Sequence, residues 1–247
     1  MKTIPILLFS IVLFLGCKGE TGPAGPVLKG NLSGNIILMD SLDSRTNNNS
    51  GAIVSIEGTT FSATSNTQGA WAINDLPTGT YTINCRKQGY DSHIDLGFQF
   101  VGGGTARMDL IYLHPLPNFI INEISVSSSI IDKEIIITGI LNSVGYHSIV
   151  LFLGRSISVS SAPSTYLYYE YGNTNNTGVG VYNTFTNYIR SDYLSLYGIS
   201  SGEKIYIKVY PTALGGWMNS YTDPETGNQV FTGLGTGSSR IDSIIIP

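Results

Sequence analysis

The chain carries little charge. Asp, Glu, Lys and Arg together make up 12% of its 247 residues, about half the ~25% of an ordinary soluble domain. Thirteen Lys and Arg against seventeen Asp and Glu leave a formal net charge of −4, spread thinly. A nucleic-acid binder needs a clustered basic surface to neutralise phosphates, so that class is set aside. Two cysteines are too few for a disulfide-stapled scaffold. His93, His114 and His147 stand far apart, with no second ligand at metal spacing and no zinc pattern such as His-Glu-x-x-His. His93 reads as a strand residue and His114 as a linker residue. No apolar run reaches the ~20 residues of a membrane-spanning helix. Intrinsic disorder pairs low hydrophobicity with high net charge, whereas hydrophobic residues here reach 42%. What is abundant is glycine, 29 residues, with long Ser, Thr and Asn stretches, a composition poor in helix formers and rich in turn formers.

Lys2 followed by the apolar stretch from Ile4 to Leu15 has the layout of an export signal. Twelve residues of helix span only ~18 Å, short of a ~30 Å hydrocarbon core. The run ends at Phe14-Leu15-Gly16-Cys17, which resembles the lipobox of bacterial lipoproteins. That resemblance implies cleavage before Cys17, lipidation of Cys17 and attachment to the membrane through the lipid; an ordinary secretory signal is the alternative. Gly16 and Cys17 match the pattern, whereas Phe14 and Leu15 replace its usual smaller or branched residues. Lys18 after the cysteine resembles lipoproteins that are not retained at the inner membrane, so the expected address is the cell envelope, as an outer-membrane lipoprotein. Periplasmic and cell-surface orientations both stay open. Residues 17–26 contain three Gly-x-y triplets, too few for a collagen triple helix, and read as an extended tether. Cys85, alternating with Tyr81 and Ile83, is expected on a buried strand face.

From residue 27 to 113 short strands alternate with turns: 28–33, 52–57, 60–65, 70–74, 80–86, 93–100 and 105–112. The polar run 46–51 reads as an exposed loop. Period-2 alternation with a turn about every ten residues is a β-sandwich pattern. Within it Gly51-Ala52-Ile53-Val54-Ser55-Ile56-Glu57-Gly58, Asn66-Thr67-Gln68-Gly69, Leu76-Pro77-Thr78-Gly79-Thr80-Tyr81 and Gly89-Tyr90 resemble the carboxypeptidase regulatory-like domain. The family commonly has Asp where this chain has Asn66. The resemblance implies a transthyretin-like, carbohydrate-binding-like sandwich that carries no catalytic residues. Pro115 and Pro117 interrupt the pattern, so residues 114–117 read as a stiff linker and the only connection to a second module. Residues 118–247 start over with strands at 134–141, 148–153, 166–171, 179–186, 204–210 and 240–246, and a short helix within 188–197. This half loosely resembles an immunoglobulin or fibronectin type III sandwich. The fold expected is therefore all-β: a lipoprotein signal (1–16), a tether (17–26) and two tandem antiparallel sandwiches (27–113 and 118–247).

Twelve of fifteen tyrosines fall between Tyr146 and Tyr221. Strand alternation sends Tyr166 and Tyr168 to one face and Tyr169 and Tyr171 to the other, and sets Tyr206 and Tyr210 opposite an Ile/Val face. Amphipathic rings of low side-chain entropy suit recognition, so Tyr169, Tyr171, Tyr206, Tyr210 and Trp217 are candidate ligand-binding residues. Half-buried strand tyrosines are the plain structural alternative. Asp223 and Glu225 share a turn and are weak calcium candidates, an acidic turn being more often simply solvated. Asp40-Ser41-Leu42 and Asp242-Ser243-Ile244 resemble an Asp-Ser/Thr-apolar O-glycosylation pattern, with Ser41 favoured over Ser243. The glycine-rich run 233–237 has no helix behind it to cradle phosphate and reads as a mobile loop. No catalytic residue, metal or cofactor is implied. The reading is a non-enzymatic, lipid-anchored module that binds glycan or an envelope protein; a secreted hydrolase with a loop-borne site and a pure spacer of a surface complex are the alternatives.

Overall fold

The computed structural model describes residues 27–174 and 183–247. The export segment, Cys17, the tether and positions 179–182 of one predicted strand lie outside the described residues. What is described is all-β, with one helical turn and two 3-10 segments.

The first half holds β1 (Lys29–Leu38), β2 (Ile53–Ile56), β3 (Ser62–Thr64), β4 (Ala70–Pro77), β5 (Gly79–Arg86), β6 (Ser92–Phe100), β7 (Thr105–Arg107) and β8 (Ile111–Leu113). One sheet runs β3-β2-β5-β6; the other sets β1 beside β4 and beside the β7/β8 pair. The predicted strand 105–112 is thus two short strands, and both pair with β1 in parallel, the exception to the antiparallel expectation. Between the sheets Leu32, Ile36, Val54, Ile56, Trp71, Ile73, Leu76, Ile83 and Cys85 form a closed core. Cys85 is fully buried as its alternation predicts. Burial, then the charge of Asp95, pushes its thiol up to about 12, so it stays protonated.

The turn motifs have local causes. Asn66 Oδ1 accepts the amides of Gln68 and Ala70, each at 3.0 Å. Gly69 closes that turn at φ +83°, where a Cβ would lie 2.0 Å from the Ile36 carbonyl oxygen, so only glycine fits. In the next motif the Tyr81 hydroxyl donates to the Pro77 carbonyl at 2.9 Å, and Gly79 lies under the ring. The polar loop 46–51 is not wholly exposed: Asn49 is buried and its Oδ1 accepts the Leu38 amide at 2.7 Å.

The second half holds β9 (Ile121–Ser129), β10 (Glu134–Leu141), β11 (Ser148–Gly154), β12 (Tyr168–Asn173), β13 (Thr184–Arg190), α1 (Ser191–Leu194), β14 (Lys204–Thr212), β15 (Tyr221–Thr222), β16 (Gln229–Val230) and β17 (Asp242–Ile245). Sheets β13-β10-β9 and β12-β11-β14-β17 enclose Ile135, Ile137, Ile149, Leu151, Leu153, Phe185, Ile205, Ile207 and Val209. The predicted helix is shorter than its pattern: β13 runs to Arg190, and only one α-turn and a 3-10 turn, Ser195–Tyr197, follow. Ser243 lies in β17, paired opposite Tyr206, while Ser41 is exposed in a turn.

The proline link is not the only connection between the halves. The 3-10 turn Gly216–Asn219 carries buried Asn219 across the junction. Its Nδ2 donates to Asp91 Oδ2 at 2.8 Å and to the Tyr112 carbonyl at 2.7 Å, and its Oδ1 lies 3.2 Å from His93 Nδ1. His114 is not a linker residue in solvent but 1% exposed. Its backbone amide donates to Asp91 Oδ1 at 2.8 Å, and its ring nitrogens face Asp91 at 3.3 Å and Asp43 at 3.4 Å. The glycine run 233–237 is also packed rather than loose. A Cβ on Gly235 would lie 2.7 Å from the Pro117 carbonyl oxygen, and one on Gly237 would lie 2.4 Å from that of Phe119. Glycine lets the two backbones approach where any side chain would clash.

Candidate functional site

β12 is an edge strand of the β12-β11-β14-β17 sheet, and its two faces carry two different aromatic groups. The expected pairing of Tyr166 with Tyr168 fails at a bulge. The Leu167 amide donates to the Leu153 carbonyl at 2.8 Å while Tyr168 is Leu153's register partner, so two residues oppose one and the alternation shifts. Tyr166 therefore joins Tyr169 and Tyr171 on the outer face, and Tyr168 enters the inner core.

The outer face is a second, smaller core. Val150, Phe152, Val159 and Tyr166 are buried there, with Tyr169, Tyr171, Tyr206, Tyr210, Phe231, Leu234 and Ile241 packed around them. Phe231, brought over the sheet by the segment after β16, lies 4.9 Å from the Tyr169 ring and 6.0 Å from that of Tyr171. The Tyr166 hydroxyl donates to the Gln229 carbonyl at 2.5 Å. A covering layer explains how tyrosines on the non-core face are half-buried. Tyr206 and Tyr210 stand opposite Ile205, Ile207 and Val209 as predicted; Lys204 lies over the Tyr206 ring and Lys208 over the Tyr210 ring. Burial, followed by neighbouring Tyr169, pushes the Tyr171 phenol up to about 12, and burial raises that of Tyr166 as well. These hydroxyls remain donors at neutral pH.

On the inner side, where β12 meets β13 and the helical turn, a different set of rings opens to solvent. Tyr168 is buried and its hydroxyl donates to Glu170 two residues on. Its phenol is raised by burial and then by that carboxylate. The Tyr197 ring lies 4.8 Å from the Tyr168 ring and Tyr193 lies 6.0 Å from it, both edge-on, with the Tyr193 and Tyr197 hydroxyls 3.3 Å apart. Tyr193 and Tyr197 are 46% and 42% exposed, so the buried ring supports two others that reach solvent, and Tyr188, 62% exposed, stands near them. Tyr188 and Tyr193 border a hollow of about 500 Å3 that also takes in Glu170, Ile189 and the Arg190–Asp192 ion pair, and Tyr197 borders the next one. That size falls in the range of small-molecule sites. A second hollow of about 430 Å3 shares Tyr168, Glu170 and Tyr193 with the first and adds Tyr169, Tyr171, Asn228 and Gln229.

The predicted site residues therefore separate. Tyr169 and Tyr171 border the second hollow, Tyr206 and Tyr210 belong to the outer core, and Trp217, 62% exposed, stands at the domain junction beside Tyr171 and Asp43. Asp223 spends both carboxylate oxygens on its own turn, accepting from the Glu225 amide and the Thr226 hydroxyl. Among the described residues, no three His, Cys, Asp or Glu side chains gather at metal-binding positions. Glu170, Tyr188, Tyr193 and Tyr197 were not singled out from sequence; only the density of tyrosines pointed this way. Gly198-Ile199-Ser200-Ser201-Gly202 has the letter spacing of a nucleophile elbow, but that elbow is a strand-to-helix turn. Here the segment leads into β14, and the Ser200 amide is held by Glu203 at 3.1 Å.

Residues 42–112 match the carboxypeptidase regulatory-like domain family, the family that the turn motifs of the first half resemble. No curated protein matches the chain. Among solved structures, a cohesin–X-dockerin complex from Acetivibrio cellulolyticus shares 22% identity over 35% of this chain, with a TM-score of 0.29. The chain spans 58% of the length of that protein. A carbohydrate-binding candidate from Bacteroides uniformis shares 15% identity over 88% of this chain and 99% of its own, with a TM-score of 0.31. A DUF3823 family protein from Bacteroides ovatus shares 13% identity over 89% of this chain and 100% of its own, with a TM-score of 0.30.

Proposed function

We propose that the chain is a non-enzymatic binding module of the bacterial cell envelope, held by lipid on Cys17, whose second half recognises glycan. The observation that carries the reading is the open set of Tyr188, Tyr193 and Tyr197 around Glu170. Tyrosine faces pack on sugar C–H surfaces, while phenols, Glu170, Asn228 and Gln229 supply hydrogen bonds to hydroxyls. Low net charge points the same way, since recognition then rests on stacking and hydrogen bonds rather than on a strong field. A protein partner is the second reading, because exposed tyrosines also suit interface hot spots.

The test is a glycan array and an envelope pull-down with wild type beside Tyr193→Ala/Tyr197→Ala. Both side chains are nearly half exposed and stand outside the core clusters, so the variant keeps its fold, and losing two stacking rings at ~1 kcal/mol each weakens binding more than tenfold. Wild type that retains no glycan, or a variant that retains it unchanged, overturns the glycan reading. An envelope protein captured by wild type and lost with the variant, without glycan, replaces it with the protein reading. Turnover of a peptide, ester or glycoside substrate that one point mutation abolishes would make the chain an enzyme instead. Anchoring is tested separately: Cys17→Ser is expected to move the protein from the membrane to the soluble fraction. A variant that sediments with membranes as fully as wild type has another anchor.

A further inference from the structure

We infer that the ligand is a linear, uncharged glycan chain lying along β12, from the tyrosines beyond β13 to the junction of the two halves, and that the first half completes one end of the site. This rests on the glycan reading above and names its ligand class.

Continuity is the first argument. The hollow at Tyr188 and the next share Tyr168, Glu170 and Tyr193. The second shares Tyr171 with a third, of about 300 Å3, at Trp217 and Asp43. Tyr146 then leads from the third into a cleft of about 350 Å3 beside Pro115 and Leu116 of the link. The first and third hollows share no residue. Six residues of β12 already extend ~20 Å, longer than one sugar ring. A monosaccharide cannot reach both Tyr188 and Trp217; a chain passing over the shared residues touches both.

The rings at the two ends are built for contact rather than for the core. Tyr188 and Trp217 are each 62% exposed and Tyr146 is 57% exposed, on three different segments. Trp217 is nonetheless held firmly. Its turn begins at Gly215, with φ +73°, seated on His114, and ends at Asn219, bound to Asp91 and Tyr112. The polar junction thereby sets Trp217 beside Asp43 of the first half, which gives the carboxypeptidase regulatory-like domain a part in the site.

Charge narrows the class. Along the band stand the carboxylates of Glu170, Asp43 and Asp40, and the bordering guanidinium of Arg190 is paired with Asp192. A polyuronate or sulfated chain would meet carboxylates with no unpaired Lys or Arg among the described residues that line the band to offset them. Neutral hydroxyls donate to the same oxygens.

The experiment is calorimetric titration of the whole chain with neutral gluco-, xylo- and manno-oligosaccharides of increasing length, with polygalacturonate and alginate as anionic probes. Affinity is expected to rise with length and then level off. Trp217→Ala is expected to weaken the longest oligosaccharides about fivefold, the loss of one stacked ring, and to leave the shortest unchanged. Tyr146→Ala, in a surface loop, gives the same pattern should Trp217→Ala disturb the fold. If glycans bind with an affinity independent of length, or if both variants bind long chains as wild type does, the site is a single pocket; this inference then fails and the glycan reading stands. Preference for polygalacturonate or alginate overturns the uncharged class. Absence of binding to every oligosaccharide and polymer removes both.

Discussion

Replacing Asp91 with Ala is expected to destabilise the protein by about 3–5 kcal/mol, the usual result of breaking a buried charged network by removing one member. Asp91 is fully buried and accepts from the His114 amide and from Asn219 Nδ2, while also facing the His114 ring. Its removal strands donors contributed by both halves. Asn219→Ala cuts the network only from the side of the second half and is expected to cost less, about 1–3 kcal/mol. Each half has its own core, so Asn219→Ala acts mainly on coupling. Trp71 lies in the first core and Trp217 in the second half, so variants keeping one tryptophan each report one half. In urea their transitions are expected to coincide in the parent and to separate after Asn219→Ala. If they stay coincident at an unchanged midpoint, the junction does not couple the halves.

Phe152→Ala should be the most damaging change in the outer core, at about 3–5 kcal/mol. The Phe152 side chain is fully buried, with ring centres of Tyr166, Phe231 and Tyr210 at 5.0, 5.0 and 5.6 Å. This layer is small and is closed on one side by the segment after β16, so it has few side chains with which to refill the space. Loss of Phe152 also removes support from Phe231, against which Tyr169 and Tyr171 lean. Glycan binding through the second hollow is therefore expected to weaken with stability, whereas Phe152→Leu, which keeps most of the volume, costs about 1 kcal/mol and retains binding. Urea midpoints and the same glycan titrations read both effects. A cost below ~1 kcal/mol for Phe152→Ala would mean that the outer aromatics are not a packed core.

Much of the architecture was written in short stretches of residues. In Ile205-Tyr206-Ile207-Lys208-Val209-Tyr210 the strand repeat alone separates the inner from the outer face, because side chains alternate whatever lies beyond them. The turn at Asn66–Gly69 and the corner at Pro77–Tyr81 were equally legible, since each closes on hydrogen bonds between near neighbours. The sandwich character of both halves and the burial of Cys85 are likewise legible in local alternation.

Long-range contacts decided the rest. His114 stands next to Pro115 and reads as linker; it is buried because Asp91, Asp43 and Gly215 come to it from distant parts of the chain. Asn219 reaches across 128 positions to Asp91, and no local pattern marks a residue for that. A one-residue bulge at Leu167 moves Tyr166 to the other face, and periodicity counts residues without seeing bulges. Alternation set Tyr169 and Tyr171 on the face opposite Tyr168 without deciding which face is core, and whether the outer face meets water depends on Phe231. The site itself is of this kind. Glu170 and Tyr168 lie on an edge strand and Tyr193 and Tyr197 follow another, and they meet only because the sandwich brings β12 against β13 and the helical turn. Period and turn chemistry act over a few residues, whereas a binding surface depends on which distant segments the closed core brings together.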